Sequence, residues 1–372
     1  MEINWTTHKE IPQRLHRSFA LIFADNKAED LIENIHTEIR MIRVSNTLFF
    51  PVSVNSKVRT NTFVCSPYTA YALYAKDELK LKVPNKLLQL PILAVIKLMG
   101  LFLKVGKIDK NIHINNFLLS TNPYQEWHGS EIEALTQFIQ RNYPRHAILF
   151  RSLNNYQHQH LITQFEKNGY LKIGSRQVYI YDMNYEQWIH HNNNKNDRRL
   201  IRKQGLTYLS HEEMRPYLSE ANALYNLLYI EKYSQYNPQF NVRYFEECYE
   251  KEIMHFQGYA NKDGKLKAFA GLFILDNTIT SPLVGYDIYA SQKEGLYIHA
   301  INLVMKYKFE SNKLLNLSSG AAQFKRIRGG VPSMEYTVVY TQHLPLLRRI
   351  VWRFLQFISN KIGIPLIEKY EL

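Results

Sequence analysis

The sequence predicts an α+β protein of two domains, each a mixed, mostly antiparallel sheet flanked by helices. Three observations carry this expectation. At 372 residues the chain is long enough to bury two separate cores. Its second half alternates short apolar strand runs with turn residues and then gives one long helical run. Its first half passes through the same order of elements, a repeat of pattern and not of residue identity.

The second stretch is the clearer. His255–Ala260 reads as a strand, ended by the turn Asn261-Lys262-Asp263-Gly264. Leu266–Leu275 is the next strand, and Asp276-Asn277 turns it into a third, Thr278–Ile288. A helix is expected from Leu296 to about Glu310, then a strand Leu314–Leu317, a short helix around Ala321–Arg328 and a last strand Ser333–Tyr340. In the first stretch, strands are expected near Glu38–Val44, Thr47–Val54 and Thr62–Cys65. They are followed by a helix Glu131–Tyr143, a strand Ala147–Leu153, a helix His158–Lys167 and a strand Ser175–Asp182.

These elements divide the chain into a first domain over 1–185, with a helical insertion over 75–110, a basic connector over 186–205, and a second domain over 206–372. Gly205 ends the short basic helix of the connector. Leu206–Leu209 is a strand candidate, and Leu218–Tyr236 and Val242–Glu252 are helical. At the end, Leu347, Ile350, Val351, Phe354, Leu355 and Ile358 share one face of a helix whose other side carries Arg348 and Arg349. Such a helix packs on the second domain or lies on anionic lipid.

The net charge of +13 favours anionic partners. Two isolated cysteines, Cys65 and Cys248, neither build a disulfide framework nor fit a zinc spacing, so no metal is expected. No signal peptide is expected, since Met1-Glu2-Ile3-Asn4-Trp5 has no basic region followed by an apolar core. The apolar run Leu88–Leu103 is interrupted by Gln89, Pro91 and Lys97 and falls short of the ~20 residues that span a bilayer. A cytoplasmic protein is expected, one able to touch the inner membrane face.

Several segments carry candidate chemistry. Ser291-Gln292-Lys293-Glu294-Gly295-Leu296-Tyr297 joins a strand to a helix, and N–H groups at a helix start attract anions. Arg198, Arg202 and Lys203 stand at helical spacing and can meet phosphates or a carboxylate. Asp287 and Glu335 are carboxylates able to take up a proton, and Tyr286, Tyr297 and Tyr336 are phenols able to give one. Lys325 follows Leu317-Ser318-Ser319-Gly320, where Ser318 and Ser319 donate hydrogen bonds or cap a helix. The clusters around Tyr68 and Asn116 line an acceptor pocket or form turns. No Ser/His/Asp or Cys/His arrangement suggests a covalent intermediate.

The connector and second domain, roughly Glu186–Tyr340, resemble the GNAT-related Fem-like acyl- and aminoacyltransferases, and the first domain is similar in element order. The resemblance implies that Gln292, Lys293, Gly295, Leu296 and Tyr297 occupy the loop that holds the pyrophosphate of coenzyme A. Tyr297 departs from the family, standing where a small residue is expected. Lys325 falls on the glycine-then-lysine segment of that family. The implied donor is acyl-CoA or acetyl-CoA, with aminoacyl-tRNA or an acyl carrier protein as alternatives. Backbone N–H groups of Leu266–Leu275 would hold the carbonyl oxygen. The implied acceptor is a small or lipid-linked amine or hydroxyl in a groove between the domains. Nucleic acid enters only as tRNA. The alternative is a catalytically inactive double-GNAT protein that binds nucleic acid, a carrier or an anionic membrane through its basic patches.

Overall fold

The computed structural model describes residues 3–56, 61–82 and 85–370. Met1 and Leu372, the outer limits of the two expected domains, lie outside the described residues. In chain order the elements are β1 (Asn4–Thr6), α1 (Arg14–Asp25), β2 (Glu38–Arg43), β3 (Phe49–Asn55), α2 (Ala75–Lys82), α3 (Lys86–Val105), β4 (Asn111–Ile114), α4 (Ile132–Asn142), β5 (Ala147–Asn154), α5 (Asn155–Lys167) and β6 (Leu171–Tyr181). There follow α6 (Tyr185–Ile189), α7 (Asn192–Gln204), β7 (Thr207–Leu209), α8 (Leu218–Tyr225), α9 (Val242–Glu250), β8 (His255–Ala260), β9 (Leu266–Leu275), β10 (Thr278–Tyr286), α10 (Leu296–Ser311), β11 (Leu314–Asn316), α11 (Ala322–Arg326), β12 (Val331–Tyr340), α12 (Leu346–Ile358) and α13 (Ile364–Tyr370).

The chain forms two compact units. The first comprises Met1–Gln177, Tyr233–Gln239 and Met334–Leu372, and the second Val178–Lys232 and Phe240–Ser333. In the first, β1, β2, β3 and β4 pair antiparallel in that order, β4 pairs parallel with β5, and β5 pairs antiparallel with β12. In the second, β7, β8, β9 and β10 pair antiparallel, β10 pairs parallel with β11, and β11 pairs antiparallel with β6. The two pairing schemes are the same, and helices flank the strands of each unit, as the repeated element order predicts.

The repeat has one twist that local sequence pattern does not report. The end of β6, the strand that closes the first repeat, pairs in the second unit through Ile180 and Tyr181. The strand that ends the second repeat, β12, pairs in the first. The unit limits therefore differ from the expected domains. Val178–Tyr181 joins the second unit, α6 and α7 of the connector are part of it, and α12 with α13 belongs to the first. The expectation that the terminal helix packs on the second domain is corrected accordingly.

A second correction concerns the third strand of the first repeat. Thr62–Cys65 is a buried turn, not a strand, and the third partner in the sheet is Asn111–Ile114. The insertion holding α2 and α3 therefore falls between β3 and β4.

Side-chain alternation explains the layering. On β5, Ile148 and Phe150 join the cluster with Leu135 and Ile139 of α4 and Phe165 of α5. Ala147 and Leu149 pack instead with Leu103 of α3 and Val351, Trp352 and Leu355 of α12. On β9, Ala268, Ala270 and Leu272 meet Ala300, Leu303 and Val304 of α10, while Phe269 lies against Phe245 of α9. Small alanines on β9 let α10 approach the sheet closely.

Candidate active site

The feature that opens the second unit is a parting of strands. β10 pairs with β11 only over Thr278–Thr280, and its register with β9 shifts between Thr280 and Leu283. The residue at the break is Pro282, which has no N–H to give to a ladder and is tolerated in a sheet only at an edge or bulge. Beyond it β10 runs on to Tyr286 beside β9. The chain leaving β11 turns to β6 instead, with Leu317 N–H donating to the Tyr179 carbonyl at 2.9 Å and Tyr179 N–H to the Ser318 carbonyl at 3.2 Å. Alternate N–H groups of Leu283–Tyr286 thus face the side that β11 has left. The expected oxyanion strand, Leu266–Leu275, is corrected by this pattern: β9 is paired on both sides, so its N–H groups serve the two ladders.

Gly285 stands on the diverging part of β10. A Cβ there would lie 2.5 Å from a Phe269 ring atom and 2.8 Å from the backbone nitrogen of Tyr225, so only glycine lets α8 pack on this strand. The loop that follows ends at the start of α10. Ser291 caps a single turn over Gln292–Glu294, accepting from Lys293 N–H at 3.3 Å, and Glu294 accepts from Ser291 N–H at 3.2 Å. Gly295 takes the left-handed conformation, φ 62°, and its missing Cβ makes room for Leu200 of α7, whose Cδ2 would sit 2.6 Å away. Gln204 donates to the Lys293 carbonyl at 3.1 Å. Gln292 and Lys293 are exposed, Gly295 and Tyr297 half-buried and Leu296 buried. The positive end of the α10 helix dipole sits at this loop.

Tyr297 does not lie over this loop. Its ring packs 5.7 Å from Tyr286 and 4.7 Å from Phe324, and the Arg328 guanidinium caps Phe324 at 3.5 Å. The Tyr286 hydroxyl accepts from the Lys232 ammonium at 3.3 Å, and burial raises the Tyr286 pKa, so the phenol stays protonated. Lys232 is a site residue that sequence reading missed, because nothing in its own segment marks it. Pro282 was also missed, although a proline inside a strand pattern is a legible signal.

The other expected residues of this unit are engaged. Asp287 pairs with Lys267 at 2.7 Å and accepts from Tyr289 N–H at 3.1 Å, and the Lys267 hydrogen bond lowers its pKa. A carboxylate so held is a weak base. Lys325 is 3% exposed, and its ammonium donates to the carbonyls of Leu317 at 2.7 Å, Ser318 at 3.2 Å and Ser319 at 2.8 Å. It braces a turn in which Ser318, Gly320 and Ala321 all have positive φ. Ser318 and Ser319 thus present carbonyls to Lys325. On α7, Asp197 holds Arg328 through two hydrogen bonds, of 2.5 and 2.9 Å, and Arg198 keeps a buried Nε with no hydrogen-bond partner among the described residues. Arg202 and Lys203 point to solvent.

The first unit has the same parting of strands, but its own chain fills it. β5 continues past Phe150, where β4 ends, and the segment after β4 crosses the gap. Asn116 N–H donates to the Pro51 carbonyl at 3.0 Å, and Asn122 N–H to Ser152 Oγ at 3.0 Å. The Asn116 side chain donates to Ser53 Oγ at 2.8 Å and to the Val64 carbonyl at 3.1 Å. It is therefore a buried tie and not a pocket wall. Helix α4, the counterpart of α10, begins behind Glu131 and carries Glu133 in its first turn, charges that repel a phosphate. Tyr68 is half-buried under the Lys104 ammonium, 4.9 Å above its ring. Glu335 belongs to this unit, where it is 1% exposed and paired with Arg176 at 2.8 Å. It is not brought together with Tyr286 or Asp287 in one unit.

Two open clefts, of about 470 and 670 Å³, flank α1 and β2 and share Phe23 and Ile39. The first carries the His36–Glu29 contact at 3.0 Å, both groups well exposed. Neither cleft lies at a diverging strand pair like that of β10 and β11. Among the described residues no group of three or more His, Cys, Asp or Glu could hold a metal ion.

No protein-family model matches the sequence, and no curated protein is similar to it. Among solved structures the chain is similar to FemX, with a TM-score of 0.49 and 11% identity over 65% of this chain and 83% of that one. It is also similar to L-PGS from Bacillus licheniformis, with a TM-score of 0.43 and 14% identity over 62% and 77% of the two chains. A tandem GNAT protein from the clavulanic acid biosynthesis pathway aligns over 91% of this chain and 98% of its own, with a TM-score of 0.41 and 8% identity.

Proposed function

We propose that this protein is an acyltransferase of the GNAT type, moving an acyl or aminoacyl group from a thioester or ester donor to an amine or hydroxyl acceptor. The observation that carries the reading is the parting of β10 from β11 at Pro282, in the same unit as the glycine-led start of α10. The donor carbonyl lies in the parting, where its oxygen takes hydrogen bonds from β10 backbone N–H groups as negative charge develops. The acceptor lone pair attacks the carbonyl carbon directly. The bond to the leaving sulfur or oxygen breaks, and Tyr286, kept protonated by burial, supplies the leaving group with a proton. The acceptor's own proton passes to water, since Asp287 is held by Lys267.

The donor's phosphate groups meet the start of α10 and Lys293. This favours acyl-CoA, whereas an aminoacyl-tRNA or a carrier-bound acyl group would use the same carbonyl chemistry with other anchor points. Titration of the purified chain with acetyl-CoA, long-chain acyl-CoA and aminoacyl-tRNA tests the reading. One donor should bind and be consumed when an amine is added. Tyr286→Phe should lower kcat on the order of a hundredfold with little change in KM. Failure of every donor to bind would overturn it. A second reading, a binding protein without turnover, is favoured by the Asp287–Lys267 pair alone, and it predicts a donor that binds and is never consumed.

A further inference from the structure

Helix α3 is apolar on the side that faces water as well as on the side that faces the core. Leu103 and Met99 are buried, at 0% and 8% exposure. On the opposite face Leu87, Leu90, Ala94, Leu98, Leu101 and Val105 follow one another at helical spacing, with Leu87 77%, Leu98 59% and Val105 63% exposed. A stripe of this length on a water-soluble surface is a contact surface in waiting. It is not a span: among the described residues no helix is long and apolar enough to cross a membrane.

The stripe does not end with α3. Helix α12 lies against it, with Phe102 and Phe354 rings 5.3 Å apart. Gly106 has no Cβ where one would meet Val351 at 2.6 Å. The buried Arg348 ties the two together, donating to the carbonyls of Gly106, Lys107, Lys110 and Arg145 at 2.6 to 3.2 Å. Leu346, Ile350 and Phe357 then present further apolar surface, at 63%, 48% and 58% exposure.

Charge identifies what covers this surface. Neither α3 nor α12 contains an aspartate or glutamate. Lys86, Lys97 and Lys104 run along one side of the α3 stripe, and Arg349 and Arg353 along one side of the α12 stripe. A second copy of the chain would set these cations against each other. An anionic bilayer surface takes both the apolar stripe and its basic border. We infer that the α3–α12 face of the first unit is a membrane-docking surface, lying in the headgroup layer of an anionic bilayer with the leucine stripe inserted and the lysines on lipid phosphates. The inference does not rest on the acyl-transfer reading.

The test is flotation of the full chain with phosphatidylcholine vesicles, with and without about 30 mol % phosphatidylglycerol, at low and high salt. The wild type should float with the anionic vesicles and bind neutral ones roughly tenfold or more weakly. Lys97→Glu with Lys104→Glu should weaken anionic binding by at least tenfold. Leu98→Glu with Leu101→Glu should abolish it while circular dichroism stays native, since both side chains are exposed. Leu87→Ser with Leu90→Ser, milder and equally exposed, should weaken it if the first pair misfolds. No flotation of the wild type, equal binding to neutral vesicles, or unchanged binding by the leucine variants would overturn the inference. So would light scattering that shows a dimer dispersed by the leucine substitutions in the absence of lipid, which would make the face a self-association surface.

Discussion

Arg176 of β6 and Glu335 of β12 form an ion pair in which the Arg176 Nε donates to the carboxylate at 2.8 Å, with the glutamate side chain 2% and the arginine side chain 19% exposed. Arg176 also donates to the Ser120 carbonyl at 2.6 Å and to the Thr121 hydroxyl at 2.8 Å, and Arg151 donates to that same carbonyl at 3.4 Å. Burial alone would lower the Arg176 pKa, but the Glu335 charge and hydrogen bond outweigh it and the pKa is raised. Removing one partner strands the other charge. Glu335→Ala and Arg176→Ala should each destabilise the protein by about 3–5 kcal/mol, and the double replacement Arg176→Met with Glu335→Leu by much less. Urea denaturation of the three variants checks this. An additive double mutant would show that the pair is not coupled.

Lys325 is the residue that sequence and structure read differently. The sequence points it at a ligand, and the structure points it at three carbonyls. Lys325→Met should therefore lower stability by roughly 2–4 kcal/mol, the scale of stranding buried carbonyls that lose a charged donor. Donor affinity of the folded fraction should stay within about twofold of the wild type, well under 1 kcal/mol. Thermal denaturation and calorimetry on the same sample separate the two roles. Lost affinity with unchanged stability would restore the ligand-binding role.

His158 gives the first unit a pH dependence. Burial lowers its pKa to about 4, and its Nδ1 accepts from Asn154 N–H at 3.2 Å, a bond that a protonated ring cannot accept. The unfolded imidazole titrates near the ordinary value of about 6.5, so the unfolded state binds the proton first as pH falls. Stability from this group is whole above the unfolded value. It is lost progressively between there and about 4, by up to roughly 3 kcal/mol. His255, also lowered to about 4 and stacked on His211, adds the same trend in the second unit. Urea midpoints measured across this range should fall with acid, and less steeply in His158→Gln.

Gly295 should tolerate nothing larger. Alanine there meets both an unfavourable left-handed φ and the Leu200 side chain at 2.6 Å. Gly295→Ala should destabilise the protein by about 1–3 kcal/mol. Leu200→Ala in the same chain should recover the steric part and leave the conformational part. A double-mutant cycle in denaturant measures the split, and full additivity would mean that α7 does not press on this loop.

Much of the second unit was legible because its turns announce themselves. Asn261 accepts from the N–H groups of both Asp263 and Lys265, and Gly264 has φ 77°, so the turn between β8 and β9 is written in side-chain chemistry. Asp276 takes φ 50° at the next turn. The first unit was harder. All four residues of β4, Asn111–Ile114, are buried, so no alternation marks the strand. The apolar turn at Thr62–Cys65 imitates one. Of the candidate site, Gly295 and Tyr286 stand out in the sequence because strand ends and helix starts constrain residue type. Lys232, and the true partners of Lys325 and Glu335, depend on segments distant in sequence, which periodicity does not relate.

The reciprocal placement of β6 and β12 sets the order in which this protein can be made. During synthesis β5 emerges with one edge unpaired, and the strand that satisfies that edge is not translated until about 180 residues later. The strand pairs of the second unit, from β6–β11 to β7–β8, are all translated before β12. The half of the chain that is born first is thus the half completed last, and a ribosome that stalls before Met334 leaves the older unit with β5 open along one edge for chaperones or neighbouring chains to find.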